Sequence, residues 1–114
     1  MALAISSREV DGVTVLELSG RITLGEGSVQ LRDAIRDLIG KGQRNILLDV
    51  GEVSYIDSSG LGELVSAYTT ARNQGAKLKL LKLTKKVHDL LQLTKLYTVF
   101  DIYDDEASAI GSFK

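Results

Sequence analysis

The sequence contains no cysteine, which excludes disulfides, thiolate nucleophiles and cysteine-ligated zinc. It contains no proline either, so glycine and small polar residues must set the turns and helix ends. Nowhere do about 18 apolar residues run together, so no membrane-spanning helix is expected. The N-terminal "MALAISSREV" has no basic segment leading into a long apolar run, and predicts no secretory leader. The net charge is only −1, without the basic excess that binding to a phosphate backbone requires, and no nucleic-acid partner is expected.

What remains is ordinary globular material. The chain has 114 residues, 44% hydrophobic and 25% charged, enough for one core but not two. The expectation is a single soluble domain, 1–114, complete by itself and cytoplasmic.

"LAISSREVDGVTVLELSG" reads as a β-hairpin around Asp11-Gly12, a dipeptide suited to a tight turn. From about Gly27 the period changes. Leu31, Ala34, Ile35, Leu38 and Ile39 share one helical face, and the helix stops near Gly40 or Gly42. "RNILLDV" is short and almost wholly apolar, as a strand buried on both faces would be. Leu61, Leu64, Val65, Tyr68 and Ala71 again keep helical spacing, ending near Asn73-Gln74-Gly75. "AKLKLLKL" alternates lysine and leucine, which predicts a strand with one wet face. Val87, Leu90 and Leu91 predict a third helix with Thr84 as its N-cap. "YTVFDIY" reads as a last strand and "DDEASAIGSF" as a short terminal helix. The order β-β-α-β-α-β-α-β-α predicts an α/β fold. Its sheet should be mixed and mostly parallel, with an N-terminal antiparallel hairpin and about four helices mainly on one face.

The corner between the third strand and the second helix reads "IDSSGLG". Loops at the carboxyl ends of strands in such sheets carry function. Aspartate or serine there can simply cap the helix, which is expected from about Ser59. One cap suffices, however, so three polar residues leave a hydroxyl free. Gly60 and Gly62 in the first turn cost roughly 1 kcal/mol each against alanine, which suggests room kept for an approaching surface. A phosphate on a serine at a helix N-terminus would add about −1.5 to −2 charges at pH 7 without remodelling the fold.

"VSYIDSSGLGELVSAY", preceded by "NILLDVGE" and followed by "GAKLKLLKLTKKVHDLLQLTKLYTVFDIYDDEASAI", resembles a STAS domain of the anti-sigma factor antagonist type. The resemblance covers nearly the whole chain, and its most specific element is the apolar strand entering D-S-S-G-L-G. It implies phosphorylation at Ser58, with Ser59 an auxiliary position modified in some members. It also implies partner switching. The unphosphorylated domain binds an anti-sigma factor, a serine kinase with a histidine-kinase-like ATPase fold, and so frees a sigma factor. Phosphorylation inactivates the domain and a PP2C-type phosphatase resets it. ATP and metal ions then belong to the partners, and the domain has no cofactor of its own. The expected partner-binding residues are Thr23, Glu26, Asp57, Ser58, Ser59, Gly60, Leu61 and Gly62, on a monomer. One departure concerns the loop after the second strand. Related sequences often carry an acidic residue where this chain has Thr23, with Glu26 nearby, which bears on the identity of the partner.

Other functions fit less well. A serine hydrolase needs a base within reach, and the only histidine, His88, falls beside Asp89 on the wet flank of the third helix. It also lacks the companions of a metal site. A phosphate-binding loop needs lysine after its second glycine, and here Glu63 follows Gly62. The alternative that remains is a scaffold in a larger signalling complex that does not switch. Lys77, Lys79, Lys82, Lys85 and Lys86 form a basic cluster that reads as a solvated face, or as a means of steering an acidic partner.

Overall fold

The computed structural model describes residues 3–114. Its elements follow the expected order: β1 (Leu3–Val10), β2 (Val13–Ile22), α1 (Glu26–Gly40), β3 (Asn45–Ile56), α2 (Ser58–Asn73), β4 (Lys77–Leu81), α3 (Lys85–Leu93), β5 (Ile102–Tyr103) and α4 (Glu106–Gly111). The strands form one sheet in the order β1-β2-β3-β4-β5. β1 and β2 are antiparallel, and every later pairing is parallel. At the hairpin, Val10 faces Val13 across Asp11 (φ 51°) and Gly12 (φ 81°). Two successive positive φ values give the turn whose twist matches that of the flanking strands.

β3 supplies Ile46, Leu48, Val50, Val53 and Ile56 to the main core, where α1, α2 and α3 contribute Leu31, Ile35, Leu61, Leu64, Val87 and Leu91. Leu47 points the other way, into a smaller cluster with Val13, Val15, Leu81, Ala109, Ile110 and Phe113. Three helices therefore cover one face and α4 covers part of the other. That explains the unbroken apolar run in the first half of β3.

Two local readings need correction. The expected wet face of β4 is partly roofed by α4. Lys79 is 8% exposed, its Nζ donates to both Ser112 O and Ser112 Oγ at 3.0 Å, and it lies 4.7 Å from the Phe113 ring centroid. Its long methylene stem explains how a cation fits there, and it is not available to steer a partner. "YTVFDIY" contributes only Ile102 and Tyr103 to the sheet. The residues before them close off α3: Lys95 takes φ 62°, and the N–H groups of Leu96 and Tyr97 return to Leu91 O. Phe100 then docks edge-on to Tyr68, 5.3 Å between ring centroids. As expected of the strand entering D-S-S-G-L-G, β3 continues through "GEVSYI" to the corner. β4 pairs only with Asn45–Asp49, so the second half of β3 reaches beyond its neighbour and carries the corner outward.

Candidate functional site

The corner is built by Asp57. Its backbone is extended (φ −102°, ψ −177°), and it is the N-cap of α2. Oδ1 accepts the Gly60 N–H at 2.7 Å, and Oδ2 accepts the Leu24 N–H at 3.1 Å, from the loop between β2 and α1. One carboxylate thus ties together two segments that are far apart in sequence. The Gly60 N–H, followed by that of Leu24, holds the Asp57 carboxyl below the ordinary carboxylate range, because both bonds favour the charged form.

Ser58 is the first residue of α2 and is exposed. Asp57 performs the capping, and the Ser58 hydroxyl has no hydrogen-bond partner among the described residues. Ser59 is half-buried and supplies no side-chain cap; of the three residues able to cap, Asp57 does so. Neither serine hydroxyl has a partner among the described residues, and that of Ser58 is the exposed one, beside the first N–H groups of a helix.

The two glycines differ. A Cβ on Gly62 would meet nothing within 4 Å, in keeping with an open surface there. A Cβ on Gly60 would sit 2.0 Å from Ile22 O and 2.8 Å from Ile22 C. Gly60 therefore lets the helix lie against the end of β2, and does not make room for a partner as its position suggested. Leu61 is buried in the main core. Neither residue offers a side chain to a partner, and both act through the backbone they position. Glu63, buried beneath the same turn, accepts from Arg32 Nη2 at 2.8 Å and so fastens α2 to α1.

Thr23 lies on the loop that Asp57 holds, and Glu26 stands at its end, where α1 begins. Thr23 O accepts both the Ser28 N–H at 3.1 Å and Ser28 Oγ at 2.8 Å. Glu26 opens α1 and is exposed. Between them Leu24 is 78% exposed, a large apolar side chain that the periodicity argument passed over because it lies outside every helical or strand pattern. On the other side of Ser58 is a groove of about 530 Å³ between the end of β3 and α3. Tyr55, Ile56, Ser58, Lys86, Leu90 and Leu93 line it, and Leu93 is 81% exposed. The signal for Leu93 was present in the sequence, since it falls off the buried face set by Val87 and Leu91. His88 does not join the corner: it packs on Tyr97, 5.2 Å between centroids, with Nδ1 3.6 Å from Asp89 Oδ1.

Geometry and topology together define an α/β domain that displays an exposed serine with an uncommitted hydroxyl, Ser58, at a strand–helix corner. A family model described as the STAS domain matches residues 4–109, and the chain belongs to that family. Among curated relatives it is 29% identical to an anti-sigma F factor antagonist of Paenibacillus polymyxa, over 96% of this chain and 94% of that one. It is 28% identical to the anti-sigma-B factor antagonist of Bacillus subtilis, over 90% and 92%. The crystal structure of a putative anti-sigma factor antagonist from Thermotoga maritima superposes with a TM-score of 0.86 at 27% identity, covering 95% of this chain and 92% of that one. Among the described residues, no helix is long and apolar enough to cross a membrane.

Proposed function

We propose that this protein is an anti-sigma factor antagonist that works by partner switching in the cytoplasm. In the unphosphorylated state it binds an anti-sigma factor serine kinase of the histidine-kinase-like ATPase type and so releases a sigma factor. Phosphorylation of Ser58 ends that interaction, and a PP2C-type phosphatase restores it. The names of the full-length bacterial relatives support the class. The observation that carries the reading is that Asp57 completes the helix cap, leaving the exposed Ser58 hydroxyl without a structural task.

The kinase docks across Thr23, Leu24 and Glu26 on one side of Ser58, and across Ser59 and Gly62 on the other. Those segments are already held in register by the Asp57 carboxylate, so docking orders little new backbone. A phosphate at Ser58 adds about −1.5 to −2 charges in the middle of that surface. It removes the fit by charge and by size while leaving the scaffold intact. The ATP and the metal ions of the cycle are held by the kinase and the phosphatase. The domain itself is a regulatory substrate, in keeping with the Ser58 hydroxyl having no base in contact among the described residues to make it a nucleophile.

The test uses wild type, Ser58→Ala and Ser58→Asp as baits in source-cell lysate, followed by the retained kinase and ATP with site mapping by mass spectrometry. Wild type and Ser58→Ala should retain the kinase, Ser58→Asp should not, and only wild type should gain phosphate. If all three baits retain the same proteins, Ser58 is not the switch, and the domain is a scaffold.

A further inference from the structure

The groove beside Ser58 carries an imbalance of charge. Its lining includes two carboxylates, Asp57 and Asp89, and both are occupied. Asp57 accepts backbone N–H groups from Gly60 and Leu24, and Asp89 accepts from Lys85 Nζ at 2.7 Å, with His88 at 3.6 Å. Two cations, Lys86 in the lining and Arg21 on the ring of Tyr55, have no such partner among the described residues. Lys86 Nζ lies 5.2 Å from the Tyr55 ring centroid, and the Arg21 guanidinium carbon lies 5.1 Å from the same centroid. Neither has a carboxylate partner within 4.0 Å among the described residues. Both distances are measured to one centroid, so the two charges lie within about 10 Å of each other, comparable to the Debye length of about 8 Å at physiological salt. Each is held only by the ring's attraction, so either is free to meet an anion.

We propose that Lys86, backed by Arg21 across Tyr55, forms an anion subsite that takes the phosphate carried by Ser58. The inference rests on the phosphorylation reading above and adds to it an intramolecular counter-ion. Lys86 and Ser58 line the same groove, and Lys86 is exposed on a flexible four-carbon stem that can swing from the ring to a new anion. Tyr55 stands three residues before Ser58 at the end of β3 and holds the ammonium nearby until the phosphate arrives. The phosphorylated state then differs from the free state in two ways. A dianion appears at Ser58, and the cation at the mouth of the groove leaves Tyr55 and is neutralised. A partner meets a changed groove as well as a changed serine.

The test places phosphoserine at position 58 during translation, so that no kinase is needed. The second ionisation of the phosphate is then followed by ³¹P NMR from pH 4 to 9. Both chains carry His88→Gln, so no imbalance arises from imidazole titration. Asp57, Asp89, Lys85 and Arg21, the remaining charged groups around the groove, are common to both. In the Lys86→Gln chain the phosphate should ionise at least about half a pH unit higher than with Lys86 in place, since a nearby cation favours the dianion. Lys86→Arg should restore the lower value, and Arg21→Gln should give a smaller shift in the same direction. The effect should shrink in 0.5 M salt. The field of α2 acts equally in all chains and cancels. Equal midpoints for Lys86 and Lys86→Gln, with unmodified chains melting alike, would overturn the subsite whether or not a kinase binds. Conversely, a clear shift in a chain that no kinase phosphorylates would leave the subsite standing and sink the partner-switching reading.

Discussion

Gly60→Ala tests the construction of the corner directly. The added Cβ would stand 2.0 Å from Ile22 O and 2.8 Å from Ile22 C. Both are backbone atoms of a strand end, so neither can rotate away. Reaching even a 3.0 Å approach to the oxygen requires a displacement of 3.0 − 2.0 = 1.0 Å, and that shift must be taken by the first turn of α2 or by the end of β2. Overpacking of this kind costs typically 1–3 kcal/mol and sometimes more. Alanine recovers roughly 1 kcal/mol of helix propensity. Because the obstacle is backbone, the upper part of the range applies, and the net loss should be about 2 kcal/mol or more. For a domain of this size that lowers Tm by about 8 °C. Moving the first turn also draws the Gly60 N–H away from Asp57 Oδ1. The loop at Leu24 should therefore loosen, although the substitution lies far from it in sequence. Gly62→Ala is the control, since its Cβ meets nothing within 4 Å; it should be neutral or raise Tm by up to about 4 °C. Thermal melts of the two variants, with amide exchange at Leu24, decide the matter. If Gly60→Ala melts with Gly62→Ala, the close approach of α2 to Ile22 is wrong, and so is the account of why a glycine stands there.

Asp57→Ala should lower Tm at neutral pH, and the sign of its pH dependence is fixed. Because the folded carboxyl ionises below its ordinary range, wild type holds the full benefit above that range and loses it on acidification. The Tm difference between wild type and Asp57→Ala should accordingly narrow from pH 7 towards pH 3; a gap that widens would refute the capping role. Lys79→Met removes the two hydrogen bonds to Ser112 and leaves its carbonyl unpaired beneath α4, a loss of about 1–3 kcal/mol. Hydrogen exchange should rise in α4 before it rises in α2, and a uniform rise would count against a local tether. Ser58→Ala should change stability by no more than about 0.5 kcal/mol, measured by urea denaturation, since its hydroxyl supports nothing in the fold.

The element order was legible because each helix buries one periodic stripe, as Leu31 and Ile35 do in α1, and because Asp11-Gly12 and Thr84 act through purely local chemistry. Thr84 Oγ1 does accept the Val87 N–H, at 3.3 Å. What was not legible depended on contacts between distant segments. "YTVFDIY" has strand-like residues throughout, yet the need to satisfy the Leu91 carbonyl at the end of α3 and to bury Phe100 against Tyr68 claims its first half. The alternation of "KLKLL" signals two faces but cannot say that α4 will lie over one of them. At the corner, the sequence showed three residues able to cap and left the choice open. The Leu24 N–H, a backbone group with no residue signature, is part of what selects Asp57. Gly60 and Gly62 look alike in sequence and differ only because the Ile22 carbonyl stands beside one of them.

The Asp57 carboxylate has a consequence for how such a domain can diversify. Its two oxygens hold a loop and a helix start together without using the hydroxyl of Ser58, the side chain of Leu24 or that of Glu26. Shape and message are thereby written in different atoms. On the partner-switching proposal, the residues that a partner would read can drift without unfolding the frame that displays them. Duplicate copies in one cell could acquire separate partners through changes at Thr23, Leu24 and Glu26 alone, each keeping the same aspartate, the same buried glycine and the same serine. Insulation between parallel signalling lines would then be a matter of a few exposed side chains, while the shared frame stays fixed because any change at Asp57 or Gly60 is felt by both segments at once.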